Sequence, residues 1–293
     1  MKKIMIKNIW LPVIAAAILT GCKDEKLNPI PQTSISDDFA FTTPDRIAQE
    51  VNGVYSACKN GQFLGGRTLV YNDVRGEDWL NVTGNGVTAV GVWNYSVTST
   101  DNQVENMWIA AYNAINRANI TIEGIAANPG VVTPALATRY TAEARFLRAL
   151  SYYYLAGIYG RRPFNADAGA SPGLPLRLTG RKNLVGGTAM ARSTMAQTYQ
   201  QIINDLIFAE TNLPLTYGSA DSNVVRAHRN AAIALKTRVY LQMGQYNDVI
   251  TEANKIVPAT APFVAATGVQ HRLNNVFLNV FRASYTTTES IFS

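Results

Sequence analysis

Cysteine and histidine are scarce in this chain, with two of each among 293 residues. Cys22 closes an export signal, so Cys58 is left without a partner and no disulfide can form within the mature chain. Cys58 falls on a helical apolar stripe and reads as a small core residue rather than a reactive thiol. His228 and His271 are far apart in sequence, with no cysteine pair or acidic cluster beside either, so no metal-ligand spacing exists. No phosphate loop or dinucleotide fingerprint is present, and nothing calls for a cofactor. Gly169-Ala-Ser-Pro-Gly173 matches the G-x-S-x-G pattern of hydrolases but fails on mechanism. The residue after the nucleophile must lend a backbone N–H to the oxyanion hole, and Pro172 has none. The adjacent acids Asp37/Asp38 and Glu77/Asp78 cannot flank a glycosidic bond from opposite sides. The expectation is a protein that is not an enzyme.

Long apolar runs are also missing. The longest, Ile9 to Leu19, is eleven residues, against the roughly 20 needed to span a bilayer. It follows Lys2, Lys3 and Lys7 and precedes Leu19-Thr20-Gly21-Cys22, an arrangement that reads as a lipoprotein signal peptide over residues 1–21 with Cys22 as the lipid-attachment site. Two or three acyl chains then hold the protein on a membrane without a spanning helix. Removing the signal takes away three lysines and no acids, so the formal charge falls from +6 to +3. That excess is small, and without a basic block it gives no reason to expect nucleic acid.

What remains is helical pattern. Residues 22–42 form a polar, proline-containing tether, and 43–293 the folded domain. A first helix starts at Thr43 with Pro44 in its first turn and buries Ile47, Val51, Val54, Tyr55 and Cys58. A second runs from the cap Asp101 to about Ile125, with Val104, Trp108, Tyr112, Ile115 and Ile122 inside. The stretch from Leu136 to Tyr159 carries two apolar stripes side by side, one through Tyr140, Leu147 and Tyr154, the other through Phe146, Ala149 and Tyr153. A helix apolar on two sides packs against two neighbours, so this one is central. Gly160 and Pro163 end it. Ser193 caps a further helix to Leu213, and Arg229–Met243 and Gln245–Val257 make a tight pair around Gly244, with Tyr246 filling the gap between them. Residues 61–100 show no sustained helical period.

The run Glu143-Ala-Arg-Phe-Leu-Arg-Ala149, then Tyr152-Tyr-Tyr-Leu155, Tyr159-Gly160 and Pro163, resembles the signature helix of SusD/RagB proteins. Asn28-Pro-x-Pro31 with Phe39-x-Phe-x-x-Pro-Asp45, the Trp108-x3-Tyr112 spacing and the tetratricopeptide-like pair around Gly244 are similar to that family too. Lys23-Asp24-Glu25 looks like the tag that sends lipoproteins of such bacteria to the outer face of the outer membrane. The resemblance implies a mainly α fold of tetratricopeptide-like helix pairs with irregular loops and few short strands. It implies a surface lipoprotein that captures a glycan or other nutrient for a TonB-dependent, SusC-like transporter. Glu289-x-Ile-Phe292 looks like the family's step into a β-strand, after which family members continue, so the chain is expected to represent the N-terminal portion of such a protein.

Sugars present flat C–H faces ringed by hydroxyls, so a sugar site wants an aromatic platform beside carboxylate, amide and guanidinium groups. Residues 71–95 combine these off a helical stripe: Trp79 and Trp93 as platforms, with Asp73, Arg75, Asp78 and Asn81 as hydrogen-bonding partners. In the alternative reading both tryptophans pack the loop onto the helices. For the whole protein, the alternatives are a surface helical-repeat adaptor without a ligand pocket, or a surface glycoside hydrolase.

Overall fold

A computed structural model describes residues 39–76, 80, 82, 89–181, 189–282 and 286–293. The chain divides into Met1–Ala40 and Phe41–Ser293, and every helix below belongs to the second unit. In order these are α1 (Pro44–Cys58), α2 (Arg67–Arg75), α3 (Val90–Trp93), α4 (Asn102–Ala127), α5 (Pro134–Tyr159), α6 (Met195–Asn212), α7 (Ala220–Val225), α8 (Arg229–Met243) and α9 (Tyr246–Ala253). Short 3-10 turns occupy Phe164–Ala166 and Phe277–Phe281. Among the described residues there is no strand, only an isolated antiparallel bridge between Pro172 and Thr194.

The long helices start where a short polar side chain can accept from an otherwise unpaired N–H. Thr43 caps α1 and Thr133 caps α5, each followed by a proline that has no N–H to lose. Asp101 accepts from Gln103 and Val104 at the head of α4, at 2.9 and 3.1 Å. Thr194, not Ser193, caps α6: it forms a reciprocal box with Gln197 at 3.1 and 2.9 Å. Ser193 is taken up with Leu174 and Gly173, to which its backbone is bonded at 2.9 and 2.6 Å, so the helix begins one residue later.

α5 is the centre. From Ala142 to Ala156 every residue except Arg145 and Tyr154 is buried, and the helix packs most extensively against α4 and α6, on which the rest is arranged. Ala142, Ala144 and Ala149 are fully buried, and such small side chains let the neighbouring helices approach closely. α1 lies on α4 and α5, and α8 packs on α6 and α9.

Two parts of the pattern fall differently. Residues 61–100 contain α2 and α3, although no apolar period marks them. α2 buries Thr68, Tyr71 and Val74, while Leu69 and Val70 are about half exposed, so hydrophobicity points to the wrong face. In the α8–α9 pair, Gly244 does take the left-handed conformation (φ 72°) that allows the sharp turn. Tyr246, however, is 65% exposed and does not fill the gap. The pair is tied instead by Lys236 of α8, which sits 2.9 Å from Glu252 of α9 and also pairs with Glu210 of α6. Lys255 joins the same two acids at 2.8 and 2.9 Å.

The segment from Leu174 to Arg181 has no ladder of its own and must find partners for its backbone. Side chains of α4 and α5 supply them. Tyr112 donates to the Pro175 carbonyl and Tyr152 to that of Arg177, at 2.9 and 2.8 Å. Asn119 donates to Arg177 at 2.9 Å, and Asn116 both donates to and accepts from the Arg181 backbone. A stretch that reads as a proline- and glycine-rich excursion is therefore stitched along α4.

The two histidines, 43 positions apart, meet: their Nε2 atoms are 3.1 Å apart and both rings are buried. With ring centroids 5.4 Å apart, the nitrogens point at each other, so one ring donates and the other accepts. Among the described residues no three groups of metal-binding type come together. The pair fastens the segment around His271 to the start of α8, where Asn230 also donates to the Val269 carbonyl at 3.0 Å. Burial, and then the neighbouring ring, pushes His228 down to about 4, and burial lowers His271 as well. A histidine whose folded pKa is depressed binds its proton more readily unfolded, so its contribution is present above the ordinary histidine value and lost as pH falls toward the folded one. The melting temperature is expected to drop between pH 6.5 and about 4, and His271→Phe should make that drop shallower, because one of the two protonations is removed while His228 stays buried. An unchanged profile in the variant would assign the acid sensitivity to other groups.

Candidate functional site: a cavity beside the second helix

After α1 the chain reverses through Gly65, where a Cβ would lie 2.0 Å from the Lys59 carbonyl oxygen and only glycine fits. This reversal delivers α2 alongside the start of α4. Further on, Ala89 and Tyr95 take left-handed backbone conformations (φ 57° each) on either side of α3. The Tyr95 hydroxyl donates to the Arg75 carbonyl at 2.9 Å, closing the loop onto the end of α2.

A cavity of about 340 Å³ results. Tyr71, Asn72 and Arg75 of α2 form one side, and Val92, Tyr95 and Val97 another. Val104 and Met107 of α4 and Ile158 and Tyr159 of α5 complete it. The size is at the low end for small-molecule sites, at roughly 300–1,000 Å³. Tyr159 donates to the Val104 carbonyl at 2.6 Å, and burial pushes its phenol well above the usual tyrosine range. The Arg75 guanidinium is exposed and donates to Asn72 Oδ1 at 3.3 Å. The cavity thus joins a hydrocarbon wall, three tyrosine rings and one cation.

Of the residues expected to touch ligand, Arg75 lines this cavity. Asp73 is exposed on α2, and Trp93 of α3 is partly buried against the main core. Asp78, Trp79 and Asn81 lie outside the described residues, as does Cys22. Val97, Met107, Ile158 and Tyr159 were not legible as lining, because they come from separate helices and loops whose meeting no local pattern announces. Ser171 of the G-x-S-x-G match donates to Asp167 within a loop, and the Gly173 N–H is bonded to Ser193. Both histidines are engaged with each other, so neither stands beside this serine as a base.

A family model described as "starch-binding associating with outer membrane", SusD-like, matches residues 26–241. The chain belongs to the SusD-like family. It is 32% identical to a SusD superfamily protein from Bacteroides fragilis and matches that crystal structure with a TM-score of 0.75, over 86% of this chain and 56% of that one. SusD-like protein P2 of Formosa agariphila is 26% identical over 280 residues, 94% of this chain and 49% of the relative. A laminarin-binding SusD-like protein shares the fold, with a TM-score of 0.65 over 86% of this chain and 51% of that one, at 20% identity. The chain spans about half the length of the curated relatives it matches. The helical, tetratricopeptide-like scaffold is the one these SusD-like structures share. Among the described residues, no helix is long and apolar enough to cross a membrane.

Proposed function

We propose that this SusD-like protein is a cell-surface lipoprotein that captures a glycan and passes it to a SusC-like, TonB-dependent transporter in the outer membrane. Cys22 carries the lipid anchor, residues 22–42 are the tether, and residues 43–293 form the binding domain. The family match across residues 26–241 carries this reading. The cavity beside α2 supports it further, because it opens where Arg75 supplies a charged donor next to aromatic rings. The protein binds its ligand and leaves it intact.

Isothermal titration of the purified chain against a panel of soluble glycans tests the proposal. At least one glycan should saturate the protein without release of reducing sugar. Arg75→Ala should weaken that binding by about tenfold, the loss of one hydrogen bond to a charged group. Failure of every glycan tested to saturate the protein, substituted glycans included, or release of sugar from any of them, overturns the reading.

A further inference from the structure

We infer that the cavity beside α2 receives an aromatic acyl substituent of the glycan rather than a bare sugar ring; this rests on the glycan-capture reading above. Four of its lining side chains are hydrocarbon or thioether and cannot hydrogen-bond a hydroxyl group well: Val92, Val104, Met107 and Ile158. Two of its three phenols already have a partner, Tyr95 donating to Arg75 and Tyr159 to Val104. A pyranose placed there would bury hydroxyls opposite valine, methionine and isoleucine side chains, each left without a hydrogen bond. A planar aryl group has no such debt. It can pack against the rings of Tyr71, Tyr95 and Tyr159 and fills a volume near 340 Å³ far better than an acetyl group would. Asn72 and Arg75 offer the polar contacts, with an amide and a guanidinium that suit the oxygens of an ester or a phenol. The guanidinium can also lie over an aromatic face. The ligand class is therefore a glycan esterified with a phenolic acid, its sugar chain running outside the cavity.

The test uses methyl ferulate, which carries the aryl acyl group and no sugar, alongside feruloylated arabinoxylan oligosaccharides before and after mild alkaline removal of the ester. Methyl ferulate should bind saturably. Val97→Trp, which fills the mouth from a position 43% exposed, should weaken it at least about tenfold while the melting curve stays in place. Where the arabinoxylan binds, removing the ester should weaken it by a similar factor. No saturable binding of methyl ferulate overturns the aryl pocket whatever the glycan panel shows. Binding that Val97→Trp leaves unchanged places the aryl group elsewhere and overturns it too, as do equal affinities for the esterified and de-esterified oligosaccharides. Glycan capture itself falls only if the unsubstituted panel and the esterified oligosaccharides all fail to bind.

Discussion

Asp205→Ala is expected to lower the free energy of unfolding by about 3–5 kcal/mol, the range for breaking a buried ion pair from one side. Arg148 of α5 and Asp205 of α6 are both buried, with only 6% and 1% of their side chains exposed. The pair is bidentate: Nε and Nη2 of Arg148 donate to the two carboxylate oxygens at 2.8 and 2.7 Å. The remaining Nη1 donates to Asn119 Oδ1 of α4 at 2.7 Å. One guanidinium thus binds three helices at the centre of the molecule. Through Asn119, which also holds the Arg177 carbonyl, it steadies the segment stitched along α4. Truncating Asp205 leaves a guanidinium that keeps its charge and loses the one acid paired with it among the described residues. The attraction lost is only part of the cost; the larger part is the stranded charge. The double replacement Arg148→Met with Asp205→Leu should therefore recover most of the loss, because an apolar pair of similar volume needs no desolvation. Urea denaturation of the three proteins checks this through their midpoints at constant slope. A single variant that loses less than about 1 kcal/mol would mean that the guanidinium is reached by water, at odds with its burial.

This pair marks the boundary of what the sequence can disclose. Helix starts depend on neighbours within four positions, and Thr43 and Asp101 were each legible as caps from the residues that follow them. The central place of α5 was legible too, because two adjacent apolar stripes require two partners. Charges are another matter. Glu143 and Arg148 look like ordinary polar positions on a long helix, yet Glu143 is wholly buried, paired to Arg226 at 2.7 Å and accepting from Tyr55 at 2.7 Å. Arg139, 3.6 Å from Glu143, lies one helical turn away, but Arg226, Tyr55 and Asp205 are 83, 88 and 57 positions away, and no spacing rule connects them. Histidines 228 and 271 repeat the lesson, as does Thr68, buried beside an exposed Leu69. The cavity was legible only as a neighbourhood: residues 71–95 stood out by composition, but half of its wall comes from α4, α5 and the loop at Val97.

Leu147→Ala is expected to cost about 3–5 kcal/mol, and Leu150→Ala closer to about 2, within the range measured for emptying core leucine sites. Both belong to α5, one turn apart, and the apolar pattern treats them alike. Their surroundings differ. Leu147 is 1% exposed, among fully buried neighbours, while Leu150 is 9% exposed. α5 is clamped on both sides, by α4 and α6, and the Arg148 guanidinium ties those three helices beside Leu147. A void at Leu147 cannot close by moving one helix without straining the pair next to it, so the lost contacts are not replaced. At Leu150, nearer the surface, neighbouring side chains or water can fill part of the space, and the residual cavity is smaller. Denaturant midpoints measured side by side decide the matter, with equal slopes needed for the comparison to hold. Equal losses at the two sites would mean that α5 relaxes as a unit and that the clamp does not hold it. A larger loss at Leu150 would move the rigid part of the core one turn toward the tyrosine run that follows.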